Sequence, residues 1–577
     1  MASDERALAT WLAARSDDDL AVIFAARGVS PAAGWRDFFD AADGLLDPIS
    51  IDRALTKLPR AALQALADPA GAPEAPAVSD TLALRSETGT VFPTVAARVS
   101  VLAEATPEAF TPLPDAAPVA GVGEAEAAER AFTAAGALAE ILVTARRAPI
   151  SRTGAGPVSA LDRRRLLEAD IVDSAEELDD LLAAAEHADL VATDGREFTI
   201  TGAGERWLEV PTLARWTTVV EGWRDRLPAG LASAGGDILP PAHWAGAYPL
   251  DRDWPARAEQ SRRIAIRWGL LSLDGGMPEW TPTILAGGDI PTDTIAPHLP
   301  AEIDRLYLQA DLTAIAPGPL APALDMRLRR IAIRESRAQA STYRFTPESI
   351  AAGLTEGETA ESIRAFLAEV SLTGIPQPLD YLVQSTADRH GLVRVSTDAA
   401  GLTRVESVDP ALVDAIAIDQ ALRPLGLVAD GGALRSRAER SVVFWALADA
   451  RYPVVAIDAQ GSPESLHRRT APVRSAVTVA PHTAYAPLIA TLRARHSDTG
   501  EGAWLERELD QAVRAKATLL VTVRLPDASE RTFTLEASGL GGGRLRGLDR
   551  AADIERTLPI SSIVAAVPTD AVPSGRR

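Results

Sequence analysis

The sequence predicts a multidomain α+β protein. Mainly helical units that each close on a β-hairpin come first, then a compact α/β module, then a small β-rich domain at the C-terminus. Three observations carry this prediction. At 577 residues the chain is too long for one hydrophobic core. A helix followed by a tight polar turn between two short strands recurs along it. Residues 500–568 begin with a helix and then alternate apolar and polar positions with the period of two that marks strands.

Composition narrows the function classes. With 47% hydrophobic and 24% charged residues, the chain reads as an ordinary folded protein. Cysteine is absent, which removes disulfides, cysteine–zinc sites, iron–sulfur clusters and thiol nucleophiles and fits a cytoplasmic address. No window approaches 18 uninterrupted apolar residues, so no membrane span is expected. The opening "MASDERALATWLAARSDDD" lacks the basic head and apolar run of a signal peptide. Net charge is −21, unevenly spread. Residues 1–300 hold 26 basic against 45 acidic residues, whereas 301–577 hold 32 against 34. The front half should therefore repel phosphate backbones, and any nucleic-acid face is expected in the second half.

The hairpin pattern appears as "TLALRSETGTVFPTVAARV" (81–99), "DLVATDGREFTITGAGERWL" (189–208) and "GLLSLDGGMPEWTPTILAGG" (269–288), with a looser copy in "GLVRVSTDAAGLTRVES" (391–407). Asp-Gly and Thr-Gly tolerate the positive φ of tight turns. A hairpin directly after a helix pair is the wing of a winged helix-turn-helix. Residues 1–106, 126–228 and 229–300 are accordingly read as winged-helix-like units, with 107–125 as a Pro/Ala/Gly-rich linker. "DPAGAPEAPAVSD" (68–80) reads as a loop, "RARHSDTGEGAW" (493–504) as another boundary and 569–577 as a disordered tail.

The second unit is the clearest. A helix is expected over 131–146, then two more in "SALDRRRLLEADIV" and "SAEELDDLLAAAEHADLV", the latter capped by Ser174. That last helix occupies the groove-reading position of DNA-binding winged helices. Here it carries Glu176, Glu177, Asp179, Asp180 and Glu186 and no arginine, so it is read as a packing element. The third unit is less acidic, with Arg262, Arg263 and Arg267.

In the middle, "LYLQADLTAIA" (306–316) alternates like a strand, and 319–340 reads as an amphipathic helix. Arg327, Arg330, Arg334 and Arg337 fall on one stripe of it, beside Leu324, Leu328 and Ile331. The stripe is either a solvated face over a core or a phosphate-contacting strip, where arginine forks match phosphate oxygens. Next comes "YRFTPESIAAGLTEGETAESIRAFLAEVS" (343–371), a short strand and two helices capped by Thr346 and Thr359. A third helix in "IPQPLDYLVQSTADRHG" is closed by Gly391, and "LVRV" is a strand.

No catalytic constellation is expected. A motor needs G-x-x-x-x-G-K-[ST]; the only lysines, Lys57 in "ALTKLPR" and Lys516 in "RAKATLL", do not fit it. "GLGGGRLRG" (539–547) reads as a hairpin turn. The seven histidines are scattered, and there is no G-x-S-x-G elbow. No cofactor and no metal are called for.

Two family resemblances attach to these residues. Leu306–Ile315, Glu335-Ser336, Tyr343-Arg344-Phe345-Thr346 with Ser349, Pro376-Gln377-Pro378-Leu379, and Gly391 before "LVRV" resemble, in that order, the N-terminal, damage-recognition-like module of XPB-type repair helicases. "ALRPLGLVADGG" (421–432) and "ALADARYPVVAIDAQG" (446–461) extend the likeness, giving a module over 301–492. The closer resemblance is to bacterial, actinobacterial-type helicase-associated proteins that carry this module without a motor. Residues 500–568 resemble a WYL-type domain, a small SH3/Sm-like β-barrel of bacterial regulators. There "GGRLRGLD" stands where the family has its Trp-Tyr-Leu strand, and "ERTLPISSIV" matches its closing strand. The tripeptide itself is absent and Ser562 replaces the closing arginine. Arg544, Arg546, Arg550 and Arg556 are the candidates for an anionic ligand.

Together the resemblances imply a non-catalytic DNA-associated protein, accessory to a repair or transcription-linked helicase. Its expected partners are single-stranded, forked or damaged DNA and a helicase or nuclease acting in trans. The alternatives are a ligand-sensing WYL-type transcriptional regulator and a protein-interaction scaffold that binds no DNA.

Overall fold

A computed structural model describes residues 4–68, 81–86, 88–114, 123–154, 156–193, 195–231, 238–336, 341–461, 463–464, 466, 480–496, 505–506, 509–510, 512–514, 516–525 and 529–568. The chain folds as two compact units: residues 1–117, 228–259 and 478–577 form one, and 118–227 with 260–477 the other. Helices dominate, with several small sheets. Among the described residues no helix is long and apolar enough to cross a membrane, and no group of three or more His, Asp or Glu is placed to hold a metal ion. The loop expected at 68–80, the boundary at 493–504 and the tail at 569–577 fall mostly or wholly outside the described residues.

In the first unit, short helices from Asp4–Ala13 to Pro93–Ala105 pack with the Pro481–His496 helix. Leu8, Leu20, Phe24, Phe38, Leu45, Leu63 and Leu492 make a common core. Arg27 is buried among them without a carboxylate, donating to the carbonyl oxygens of Leu82 (2.8 Å) and Leu45 and to Ser50 Oγ (2.8 Å). Burial, with Arg53 nearby, pushes its pKa down to about 10. The wing expected at 81–99 reduces to one bridge, Arg85 with Val91.

The C-terminal part of this unit is a five-stranded antiparallel sheet. Its order is Ile554–Pro559, Arg544–Asp549, Glu530–Gly541, Thr518–Arg524, Ile563–Pro568. The long Glu530–Gly541 strand pairs with Thr518–Arg524 through its first half and with Arg544–Asp549 through its second, with a register shift between Ala537 and Gly539. No pairing among the described residues joins the two outer strands, so the expected barrel is not closed. The supposed single closing strand is two: Pro559 ends one, a 3₁₀ turn over Ile560–Ser562 redirects the chain, and Ile563 starts the other. Gly542 and Gly543 (φ 59° and 70°) make the tight turn expected at "GLGGG".

In the second unit the Glu124–Arg147 helix, the Ala160–Glu168 and Ala175–His187 helices, and the Val191–Thr193/Glu197–Ile200 hairpin follow the sequence expectation, and Ile150–Ser151 adds a third strand to the hairpin. The hairpin expected at 269–288 does not form. Pro278 and Pro282 cannot donate to a strand ladder, and the segment turns into the Thr281–Leu285 helix instead. Trp216, Trp223, Trp268 and Trp280 are fully buried here. Each removes about 150–250 Å² from water, on the order of 4–6 kcal/mol as an upper estimate. Indole N–H groups fix the orientation of two of them, Trp216 donating to the Trp268 carbonyl and Trp280 to that of Gly269, both at 2.8 Å.

Two further sheets complete this unit. One is antiparallel, ordered Tyr307–Leu308, Thr313–Ala316, Ser341–Arg344, Ile333–Arg334. The segment expected as one strand over 306–316 is thus a hairpin, turned where Leu312 takes φ 65°. The Pro347–Thr355, Ala360–Val370 and Gln377–Arg389 helices cover the sheet around Tyr343, Phe345, Ile350, Ile363 and Phe366. The other sheet has six strands in the order Val428–Asp430, Ala433–Ser436, Thr403–Ser407, Val393–Thr397, Val454–Ile457, Pro463–Glu464. Only its Val393–Thr397/Val454–Ile457 pair is parallel. The hairpin expected at 391–407 is its centre.

Candidate nucleic-acid interface

The arginines singled out in the central module sit on and after a helix that begins at Pro322, where a missing N–H costs nothing. This helix buries Met326, Leu328 and Ile331 and stops there; Ala332 is already extended (φ −143°, ψ 156°). The expected helix over 319–340 is therefore too long at its end. Ile333 is β-branched and pairs with Arg344, and Arg334 pairs with Tyr343, so tertiary pairing overrides the helical spacing. Ser349 Oγ donates to the Ile331 carbonyl at 2.8 Å, satisfying one acceptor at the helix end. Gly353 is required beside it, since a Cβ there would lie 2.5 Å from Ile331 Cγ2. Arg327 and Arg330 share the helix, Arg334 lies on a strand, and Arg337 lies outside the described residues.

Each described member of the stripe meets a carboxylate of the same unit. Arg327 donates to both oxygens of Glu358 at 3.1 and 3.2 Å and lies over the Phe366 ring at 4.4 Å. Arg330 donates to Glu209 at 3.0 Å. Arg334 donates to Glu140 at 3.0 Å and to Ser341 Oγ at 3.1 Å.

The centre of the cluster is a residue the stripe left out. Arg329 donates to both oxygens of Glu140 at 2.7 Å, and the two side chains are 11% and 10% exposed. Asp325 lies 3.6 Å from Arg329 and accepts the Tyr343 hydroxyl at 2.5 Å. Burial acts to lower the Arg329 pKa, but the Glu140 charge and hydrogen bonds outweigh it and hold the guanidinium above its ordinary range. Burial, then the Asp325 charge, pushes the Tyr343 hydroxyl up. The Asp325–Arg329 spacing of four was the one sequence signal for this network. Glu140, far away in sequence, gave none.

The acidic helix of the preceding segment is neutralised in the same way. Asp180, fully buried, accepts from Arg263 at 3.0 and 2.9 Å and from Arg267 at 3.2 Å. Glu176 and Glu177 lie 3.3 Å from Arg263 and Arg267 respectively. The Ala175–His187 helix thus packs Glu176, Glu177 and Asp180 against the chain's own arginines.

The four arginines of the C-terminal sheet are not brought together. Arg556 donates to Asp549 at 2.6 Å and lies over the Phe533 ring at 4.6 Å. Arg550 donates to Glu536 at 2.9 and 2.6 Å. Arg544 and Arg546 stand two apart on one strand, exposed on the same face, and their side chains make no hydrogen bond or ion pair among the described residues. Leu545 and Asp549 point to the opposite, buried face.

Against known families, residues 306–430 match the helicase conserved C-terminal domain. This part of the chain is helicase-related. The match begins at the first strand of the four-stranded sheet and runs through its three helices into the six-stranded one. It therefore contains Arg327, Arg329, Arg330 and Arg334 but not Glu140 or Glu209. No curated protein matches the chain.

Proposed function

We propose that this chain is a non-catalytic, nucleic-acid-associated protein, accessory to a repair or transcription-linked helicase that acts in trans. The observation that carries the reading is the helicase conserved C-terminal domain over residues 306–430. The motor-free part of it rests on Lys57 and Lys516, neither of which stands in a phosphate-loop pattern. The finer assignment of the module to the XPB-type N-terminal class belongs to this proposal, as does the winged-helix reading of the helix–hairpin segment at 124–200. So does the WYL-type reading of the last domain. It is supported by a four-strand meander whose fifth strand, after a 3₁₀ turn, pairs back to the first.

The pairing of the central arginines favours one division of labour within the reading. The module's described stripe arginines serve cohesion, and the C-terminal sheet offers the free cations. The same pairing gives the protein-interaction scaffold its best support, since every described stripe arginine is already engaged. Titrating fluorescent single-stranded, duplex and forked DNA with the full chain at ~50 and ~200 mM salt separates the two, because phosphate contacts make affinity fall with salt. Binding at the lower salt supports the proposal, and its absence for all three substrates leaves the scaffold.

A further inference from the structure

Resting on that reading, we propose that the Arg544–Arg546 face of the C-terminal sheet contacts two phosphates of a nucleic-acid backbone without reading bases, and is not a pocket for a small anion. Arg544 pairs across the sheet with Gly541 on one side and Pro559 on the other; Arg546 pairs with Gly539 and Thr557. Both arginines therefore have a glycine as neighbour on the hairpin side. At Gly539, Gly541, Gly542 and Gly543 alike, an added Cβ would meet nothing within 4 Å. The surface beside the two guanidinium groups is bare backbone, open to close approach by an extended chain.

Charge and geometry together select the occupant. In a chain of net charge −21, these two arginines have no carboxylate partner among the described residues, whereas Arg550 and Arg556 are held by Glu536 and Asp549. Side chains two apart on a strand leave the same face about 6.8 Å from each other, running side by side instead of converging. A compact anion needs donors that converge on it. Arg550 and Arg556, which could have closed such a site, are turned to their own carboxylates. A linear polyanion needs only successive cations along its path. Phe533, the aromatic residue of the neighbouring Glu530–Gly541 strand, packs against the core beneath Arg556 and Arg531, so it offers no stacking platform for bases.

The test is salt-dependent DNA binding by the full chain and its R544E/R546E and R550Q variants. Two phosphate contacts to duplex DNA add a slope of about −1.8 in log affinity against log salt, an extra fall of about twelvefold between ~50 and ~200 mM. The charge-reversed variant should lose this slope and bind more weakly at ~50 mM, equally for every base sequence. R550Q should bind like the parent. An unchanged slope in R544E/R546E overturns this inference and leaves the proposed function standing, whereas a parent that binds no DNA overturns both. Competition by millimolar pyrophosphate that is abolished in R544E/R546E would instead mark a small-anion site and overturn the inference.

Discussion

The Glu140 cluster and the Arg544–Arg546 strand use the same side chain for opposite ends. Arg329 and Arg334 converge on one buried carboxylate, with both forks of Arg329 committed and Asp325 behind them. Arg544 and Arg546 leave one exposed face of their strand with no side-chain partner among the described residues. A guanidinium facing water keeps its hydration and can exchange it for a phosphate at little cost. One taken out of water must be paired where it sits, and afterwards it is unavailable. The count of arginines in a segment therefore says little about nucleic-acid binding. What matters is how many have no carboxylate from another element.

This contrast can be broken most sharply at Glu140. E140A leaves two part-buried guanidinium groups with only Asp325, 3.6 and 3.8 Å away, as counter-charge, and breaking a buried pair costs about 3–5 kcal/mol. A drop of that size in urea-unfolding stability, followed by tryptophan fluorescence, is expected. A loss below about 1 kcal/mol would show that the cluster is wet and loosely held. D180N is expected to cost less, about 1.5–3 kcal/mol, because the amide can still accept one of the bonds from Arg263 and Arg267.

Local signals in the sequence carried over well where chemistry and spacing were short-range. Thr346 forms the expected cap and exchanges bonds with Ser349, at 3.1 and 3.0 Å. T346A should cost about 1 kcal/mol in the same measurement. Thr359 and Ser174 likewise cap their helices. Some failures were local, as where Pro278 and Pro282 prevent the 269–288 hairpin and Leu312 turns the 306–316 segment back on itself, and others depended on partners elsewhere in the chain. The helix through Arg334 had the right period but ended early, because a strand 7 to 10 residues later claimed Ile333 and Arg334. Arg330 and Arg334 looked like a free face because their carboxylates, Glu209 and Glu140, lie more than 100 residues upstream, and that of Arg327, Glu358, lies 31 residues downstream. A barrel was expected from the WYL-type resemblance; the alternation beneath it fixes the strands but not whether the outer two meet.

Glu358 offers a smaller, pH-dependent probe of the same cluster. Burial tends to raise its pKa, yet the hydrogen bonds from Arg327 and Ser362, with the Arg327 charge, hold it below the ordinary range. A carboxylate depressed in the folded state contributes stability that is present above its unfolded value, about 4.3, and lost as pH falls through the folded one. Urea midpoints measured from pH 6 downward should therefore fall less steeply in E358Q than in the parent. Identical acid limbs would mean that Arg327 holds Glu358 no better than solvent does.

The smallest expected effect is the one that sharpens the comparison furthest. R544A and R546A remove exposed side chains that make no side-chain hydrogen bond or ion pair among the described residues, so each should change stability by no more than about 0.5 kcal/mol. If either destabilises the sheet as E140A does the central module, the arginine has a structural partner and the distinction between spent and free guanidinium groups fails there. If stability is unchanged while DNA affinity falls, cohesion and binding reside in separate arginines, and the sequence position of a basic residue matters less than the distance to its nearest acid.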